Sequence, residues 1–253
     1  MFEYFLLGIF QGIFEWLPIS SQGIVILVSQ FLAIEINFFD LALFAHLGTF
    51  FCVVIYFFKD WRKILLLQDV KLLRFLIIST FVSLAVGFPL FKLLRDVAFG
   101  PLFLLLMGLA LISTAFFQRK TKNELNESSF SLIGTNKLAI GIGFLQGLAV
   151  IPGLSRSGAT IFGLSLAKLK PSEILKISYL MSGPVVLASS IYLYLSNPDI
   201  ISKAWPTLIS SFVVGFISLH FLMKISQRIN FFYFALSFGL LCLLGGVLGL
   251  IWA

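Results

Sequence analysis

The chain has 253 residues, of which 59% are hydrophobic and 11% are charged, and its mean hydropathy is +1.05. This composition excludes a soluble globular domain and indicates an integral membrane protein. The formal net charge of +7 also suits a nucleic-acid-binding protein, so the placement of the basic residues must decide what that charge means.

Six hydrophobic runs are long enough to cross a bilayer as helices, for which about 20 residues are needed. Each run is apolar along most of its length and is bounded by charged or polar residues, as lipid-embedded helices are. The runs lie near 40–58, 75–93, 99–117, 176–197, 206–224 and 231–252. We therefore predict an all-α integral membrane protein with six transmembrane helices.

Two further apolar segments, 2–34 and 138–169, carry Gly, Pro and Ser in their middle. Such a break exposes backbone polar groups, which are tolerated at membrane depth only inside protein or beside a water-filled cavity. We therefore predict that each segment is a re-entrant helical hairpin.

The two hairpin segments resemble each other, which predicts an internal repeat. The first reads Gly-Ile-Phe-Gln-Gly at 8–12, and the second reads Gly-Phe-Leu-Gln-Gly at 143–147. Both repeats belong to a single membrane domain. The predicted boundaries are about 1–117 for repeat 1, 118–137 for a cytoplasmic linker and 138–253 for repeat 2, within a domain of 1–253.

The basic residues predict how these segments are oriented. With the loop 59–74 in the cytoplasm, 14 basic side chains lie inside and three lie outside, while Arg156 is embedded. The positive-inside rule describes this bias, which explains the net charge without nucleic-acid binding. Because three spans follow the first hairpin, the second repeat is inverted, and the two hairpins meet near the midplane. Proteins of this architecture bind substrates there, with half-helix N-termini directed at anionic groups.

Glu15 and Arg156 are the only charged side chains set well inside an apolar stretch, and intramembrane charges are functional candidates by default. Gln11 lies four residues before Glu15, so the two share one face of a helix. A carboxylate with an amide neighbour can bind a metal, act as a base or simply pair with Arg156. Ser20 and Ser21 follow at the first break.

The second break carries Ser155, Arg156 and Ser157 after a Pro-Gly pair at 152–153, with Thr160 one turn later. Exposed N–H groups, three hydroxyls and a guanidinium together suit the binding of phosphate oxygens. A buried arginine also neutralises charge that develops on a transferring phosphoryl group.

Structural explanations of the same residues remain open. Glu15 and Arg156 are also explained by a structural ion pair, and a single hydroxyl in an apolar helix usually bonds to the backbone or to a neighbouring helix. The clustering of hydroxyls beside Arg156 favours the functional interpretation. His46, and His220 near a helix end, are more typical of packing residues, so we place both outside the core site.

At these residues the chain resembles the undecaprenyl-diphosphate phosphatases, the bacitracin-resistance phosphatase family. The first family motif is Glu or Gln, three residues, Glu and a Pro-x-Ser-Ser turn, which is matched from Gln11 to Ser21. The second motif, Pro-Gly-x-Ser-Arg-Ser-x-x-Thr, is matched in full from Pro152 to Thr160. The His-Leu-Gly-Thr sequence at 46–49 also looks like the family, and the resemblance covers nearly the whole chain.

The resemblance implies a multi-pass enzyme of the cell membrane, whose site opens to the outer face. It would hydrolyse the C55 polyprenyl diphosphate to the monophosphate and phosphate, which recycles the lipid carrier for wall polymers. Glu15 would be a base or the ligand of a divalent cation, Mg²⁺ or Ca²⁺. Ser21 would be the nucleophile or a phosphate ligand, and Arg156 would clamp the diphosphate. The implied substrate-binding residues are Gln11, Ser20, Ser155, Ser157 and Thr160.

One position departs from the family pattern, which continues Ser-Ser-x-Gly-His. Ile24 occupies the place of the histidine, and the loss of a general acid or base costs on the order of 10²–10⁴ in rate. His46 substitutes for it only if its helix faces the site. The departure keeps two other functions open: a polyprenyl-phosphate carrier or flippase of the same fold, and a non-catalytic protein that binds lipid diphosphate.

Overall fold

The computed structural model describes residues 1–18, 21–30, 32, 36–94, 105, 108–109, 111–113, 115–116, 135–150, 154–167, 169–226 and 231–251. Within these residues the regular structure is entirely α-helical, as the hydrophobic runs predicted. The helices are α1 (Phe2–Phe14), α2 (Ser21–Gln30), α3 (Phe38–Tyr56), α4 (Phe58–Leu65), α5 (Val70–Leu94), α6 (Asn136–Leu148), α7 (Arg156–Ser165), α8 (Pro171–Ser196), α9 (Ile200–Ser226) and α10 (Phe231–Ile251).

Both predicted hairpin segments consist of two helices separated by a break. The first break lies between α1 and α2 and contains Pro18, a residue that lacks the N–H donor of a helix interior. The second break lies between α6 and α7. Ser155 is the N-cap of α7, where its hydroxyl accepts a hydrogen bond from the Gly158 N–H at 3.1 Å. Such a cap satisfies an N–H group that the start of a helix leaves without a helical partner.

Apolar helices occur where the sequence predicted membrane spans. In the described part of the chain, α5, α8 and α9 are long and apolar enough to cross a bilayer, and α3 together with α4 would form a fourth span bent by 78°. α1 and residues 236–251 of α10 are shorter apolar helices. The predicted span 99–117 and the linker 118–137 lie mostly outside the described residues.

The predicted loop 59–74 is partly helical, which the sequence analysis did not anticipate. α4 covers much of its first half and leaves Lys59, Arg62 and Lys63 exposed. Asp60 of the same helix pairs with Lys176 of α8 at 3.3 Å. Three of the five basic residues that predicted a cytoplasmic loop therefore lie exposed on a short helix, and the other two, Lys71 and Arg74, lie in the first turns of α5.

The first helix of each hairpin packs against a long helix of the other predicted repeat: α1 against α9, and α6 against α5. Glycines let these backbones approach closely, as small residues do between membrane helices. A Cβ on Gly8 would lie 2.4 Å from the carbonyl oxygen of Thr207, and a Cβ on Gly143 would lie 2.6 Å from that of Ser79. Glycines at matching positions of the two hairpins therefore serve the same close packing.

Gly143→Ala is expected to destabilise the protein by about 1–3 kcal/mol, because an added methyl group would push the backbones of α5 and α6 apart. Gly141 provides the control on the same helix, since a Cβ there meets no atom within 4 Å. Gly141→Ala should be neutral or stabilising, because alanine is the better helix former. Thermal unfolding in detergent measures both variants, and equal melting temperatures would contradict the close packing.

A buried aromatic pair holds the first break against α8. The rings of Trp16 and Tyr179 meet edge to face, with 5.1 Å between their centroids, and both side chains are almost completely buried. The Tyr179 hydroxyl donates to the Trp16 carbonyl at 2.8 Å, and Trp16 Nε1 donates to the Gly215 carbonyl at 3.0 Å. These bonds fix the backbone directly after Glu15.

Candidate active site

A cavity of about 600 Å³ lies where the two breaks meet α3, α5 and α8. Its lining includes five of the predicted site residues: Glu15, Ser21, Ser155, Arg156 and Ser157. The two hairpins therefore bring their polar residues to one place, as the repeat predicted. Ser20, a sixth predicted residue, lies outside the described residues.

Glu15 is the centre of a network of side chains, and only 5% of its surface is exposed. Its Oε2 accepts hydrogen bonds from Gln11 Nε2 at 2.7 Å and from the Ser21 hydroxyl at 3.0 Å. His46 Nε2 lies 3.2 Å from the same oxygen, and Oε1 pairs with Arg156 Nη2. A buried carboxylate requires partners of this kind, and here they satisfy both of its oxygens.

Arg156 connects Glu15 to the cavity. Besides its pairing with Glu15, its Nη1 donates to the Ser178 carbonyl at 3.2 Å, and its side chain is 17% exposed. A guanidinium has five N–H donors, so Arg156 can hold Glu15 and still offer donors to an anion in the cavity. α7 begins at Arg156, and the positive end of a helix dipole also favours an anion there.

Two predicted binding residues stand behind the site and do not line the cavity. Gln11 is completely buried and donates to Glu15. Thr160 is also completely buried, and its hydroxyl donates to the Arg156 carbonyl at 2.9 Å and lies 2.6 Å from Ser178 Oγ. In this arrangement Gln11 positions the carboxylate, and Thr160 supports the backbone of the arginine.

Ser155 and Ser157 link the two breaks. The Ser157 hydroxyl donates to the Leu17 carbonyl at 2.6 Å, the Ser155 hydroxyl donates to the same oxygen at 3.5 Å, and the two hydroxyls are 3.0 Å apart. The structural explanation of single hydroxyls thus applies to both, because they bond to a neighbouring backbone. They also line the cavity, so they hold the two hairpins together at the site itself.

His46 belongs to the core of the site, so the prediction that placed it outside is wrong. It lines the cavity, its Nε2 faces Glu15, and its Nδ1 lies 2.6 Å from the Ala42 carbonyl oxygen. Both ring nitrogens therefore face oxygen atoms. His220 lies outside the cavity, with its ring 6.1 Å from that of Tyr56. The sequence signal for His46 was the family-like His-Leu-Gly-Thr stretch at 46–49.

The cavity continues along an apolar wall formed by α5 and α8. Phe88 and Phe91 of α5 meet Tyr192 of α8 edge to face, with ring centroids 5.9 Å and 6.2 Å apart. Part of this wall is open to the surroundings, since Phe81 is 74% exposed. The apolar lining includes Phe81, Leu84, Phe88, Phe91, Val185 and Tyr192. The cavity thus combines a charged end with a surface that suits a hydrocarbon chain.

Glu15 is the one acidic residue among the described residues that line the cavity. In the part of the chain that the structure describes, no three His, Cys, Asp or Glu side chains cluster as a metal site. Mg²⁺ is commonly held by one or two carboxylates together with waters and substrate phosphates. Among the described lining residues, Glu15 is therefore the one carboxylate that could hold such a cation, together with a phosphate ligand.

Known proteins are similar to this chain over nearly its whole length. The family model for Bacitracin resistance protein BacA matches residues 4–246. A protein named undecaprenyl-diphosphatase from Methanococcoides burtonii is 30% identical over 96% of this chain and 97% of its own length. Proteins of the same name from Haloarcula marismortui and a Sulfurihydrogenibium species are each 32% identical, over 96% and 99% of this chain and 96% and 98% of their own lengths. The chain therefore belongs to the bacitracin resistance protein BacA family.

Proposed function

We propose that this protein hydrolyses undecaprenyl diphosphate to the lipid monophosphate and inorganic phosphate, and so recycles the lipid carrier used for wall polymers. The observation that carries this proposal is the contact of Glu15 with Ser21, His46 and Arg156 at the charged end of a cavity with an apolar wall. The names of the similar proteins support it. Because those names are names of enzymes, the comparisons do not favour the carrier or flippase.

Substrate binding divides between the two ends of the cavity. The diphosphate binds at Arg156, whose fork of donors suits phosphate oxygens in pairs, and at the start of α7. The isoprenoid chain lies along Phe88 and Phe91 of α5 and Tyr192 of α8, where burial of its surface away from water favours binding. This arrangement leaves the terminal phosphate beside Glu15 and Ser21.

Glu15 acts as the base and Ser21 as the nucleophile. Glu15 takes the hydroxyl proton of Ser21 through the existing hydrogen bond while Ser21 Oγ attacks the terminal phosphorus. The P–O bond of the anhydride breaks, and the lipid monophosphate leaves with that electron pair. A water molecule then attacks the phosphoserine, the P–Oγ bond breaks with its electron pair on Ser21 Oγ, Glu15 returns its proton to that oxygen, and inorganic phosphate leaves with both protons of the water. Arg156 neutralises the charge that develops on the phosphoryl oxygens.

His46 supplies the imidazole that Ile24 does not. It contacts the oxygen of Glu15 that also accepts from Ser21, so it orients the base and can exchange a proton with Glu15. A divalent cation, Mg²⁺ or Ca²⁺, would be held by Glu15 and the diphosphate oxygens. When bound, it would neutralise phosphate charge.

The finer architecture is part of the same proposal: six transmembrane helices and two re-entrant hairpins form an inverted repeat in the cell membrane, and the cavity opens to the outer face. The distribution of the basic residues supports this orientation. The matched packing of α1 on α9 and of α6 on α5 supports the repeat, because equivalent helices make equivalent contacts.

Phosphate release from undecaprenyl diphosphate by the purified protein in detergent tests the proposed function. The wild type should release one phosphate per lipid, and Ser21→Ala should lower kcat on the order of 10²–10⁴-fold because the nucleophile is lost. Labelled terminal phosphate should be trapped on the wild type by acid quench and not on Ser21→Ala. Parallel assays with Mg²⁺, Ca²⁺ and EDTA test the cation.

Two results would distinguish a failure of the enzymatic function from a failure of Ser21 as the nucleophile. A well-folded wild type that binds the lipid without releasing phosphate would contradict the enzymatic function. Turnover with no trapped label and with Ser21→Ala fully active would contradict Ser21 as the nucleophile and leave water as the group that Glu15 activates.

A further inference from the structure

A second polar pair lines the cavity on the wall made by α5 and α6. Ser83 of α5 and Gln146 of α6 are 3% and 2% exposed, and both line the cavity. Gln146 Nε2 donates to Ser83 Oγ at 3.3 Å and to the Met181 carbonyl of α8 at 3.5 Å. Neither residue contributes to the Glu15 network or to the mechanism described above.

A comparison of the two hairpin sequences explains why Gln146 has a different partner from the matching residue, Gln11. Gln11 and Gln146 occupy the same position of the two hairpin sequences. Gln11 donates to Glu15, four residues later in α1, whereas Val150 stands four residues after Gln146. Without a carboxylate on its own segment, Gln146 donates to the hydroxyl of Ser83 across the helix interface. The glutamine of the first hairpin thus bonds to the carboxylate of Glu15, whereas the glutamine of the second bonds to the uncharged hydroxyl of Ser83.

The hydrogen bonds of this pair are incomplete in the part of the chain that the structure describes. Both N–H groups of Gln146 have acceptors, so Ser83 Oγ serves as an acceptor and its own O–H points to some other acceptor. Among the described residues, the one hydrogen bond of Ser83 Oγ is the bond it accepts from Gln146, and no group donates to the buried Gln146 Oε1. Buried polar groups normally have partners. A phosphate group that carries a proton, or a phosphate with one water, would accept from Ser83 and donate to Gln146.

The position of Ser83 along α5 shows which part of the ligand reaches it. Ser83, Gly87 and Phe91 are spaced by four residues, so they form one stripe along the helix, and all three line the cavity. The stripe passes from a hydroxyl to an aromatic ring. A lipid whose hydrocarbon chain lies along Phe91 therefore has its first polar group near Ser83.

We propose that Ser83 and Gln146 form a subsite for the phosphate that stays on the lipid, while Arg156 and Glu15 hold the terminal phosphate. This inference rests on the proposed function. Ser83 donates to an oxygen of the lipid-linked phosphate, and Gln146 positions Ser83 and accepts from the protonated phosphate or its water. The same subsite retains the monophosphate product after the anhydride bond has broken.

The test measures how tightly the full-length protein in detergent binds the two products of the reaction. These are undecaprenyl monophosphate, which carries the lipid-linked phosphate, and inorganic phosphate. Ser83→Ala and Gln146→Leu should each weaken monophosphate binding about tenfold and raise KM for the diphosphate by a similar factor, as expected for the loss of a hydrogen bond to a charged group. Inhibition by inorganic phosphate and kcat should change by less than about twofold. Ser83→Thr, which keeps the hydroxyl, should retain most of the affinity.

Ser79→Ala is the matched control one turn earlier on α5. The Ser79 hydroxyl is buried and donates to the Leu76 carbonyl, and Ser79 does not line the cavity, so this variant should behave as the wild type. The double variant Ser83→Ala/Gln146→Leu should lose little more than either single variant, because Gln146 acts largely through Ser83.

Two results would overturn the subsite. One is unchanged monophosphate affinity in folded Ser83→Ala and Gln146→Leu. The other is an equal loss for inorganic phosphate, which would show a general disturbance of the cavity. Failure of the proposed function is a different result: a wild type without phosphate release, in which the two variants still weaken monophosphate binding, would contradict hydrolysis and support the subsite.

Discussion

Arg156→Lys is expected to lower kcat/KM for undecaprenyl diphosphate by about 10²–10³-fold. Lysine keeps the positive charge, but its ammonium has no planar fork of donors. In this site one guanidinium must pair with Glu15, donate to the Ser178 carbonyl and still bind the diphosphate. An ammonium at the end of a flexible chain cannot reach all three at once. Steady-state phosphate release measures the effect.

Arg74→Lys is the control for this exchange. Arg74 lies exposed on α5 and does not line the cavity, so the same chemical change there should leave kcat/KM within about twofold, as surface changes usually do. Thermal unfolding must show that Arg156→Lys remains folded, since a buried charge pair is altered. Near-normal turnover by folded Arg156→Lys would contradict the role of Arg156 as the diphosphate clamp.

His46→Ala is expected to lower kcat on the order of 10²–10⁴-fold, the range for loss of a general acid or base. The physical reason is its contact with Glu15 Oε2, the oxygen that accepts the Ser21 proton. His46→Gln separates two roles, because an amide can donate to Glu15 but does not titrate near neutral pH. Similar losses in both variants support proton transfer, whereas activity preserved in His46→Gln alone supports positioning of Glu15.

His220→Ala is the matched control for the second histidine. His220 is exposed and lies outside the cavity, so this variant should keep wild-type turnover. A folded His46→Ala with wild-type kcat would show that the site works without an imidazole at this position. Ile24→His in the His46→Ala background then tests whether an imidazole on α2, in the place that the family pattern gives it, restores activity.

The centre of the site could be predicted from sequence because its signals are local. A Pro-containing interruption in an apolar run predicts a broken helix, and α1–α2 and α6–α7 are broken at those places. The four-residue spacing of Gln11 and Glu15 predicts a shared helix face, and their side chains form a hydrogen bond of 2.7 Å. Charge inside an apolar segment marked Glu15 and Arg156, and the two pair across the breaks.

Other assignments depended on how distant helices rotate against each other. His46 appeared to be a packing residue because its own segment is apolar on every side, yet α3 turns it towards Glu15. Thr160 belongs to the same motif as Arg156, but the register of α7 against α8 directs its hydroxyl to Ser178 and away from the cavity.

The sequence by itself determined that the protein is an apolar helical membrane protein, where its helices break, and which charged pair lies inside it. These properties follow from hydropathy and from spacing within one segment. Only the tertiary structure decided that His46 joins Glu15, that Gln11 and Thr160 support the site from behind, and that Gln146 meets Ser83. The bonds of Gln11 to Glu15 and of Thr160 to the Arg156 carbonyl lie within one segment. The contacts of His46 with Glu15 and of Gln146 with Ser83 need the rotation and crossing of helices that are folded against one another. In apolar segments close packing of small residues such as Gly8 and Gly143 helps to set that rotation.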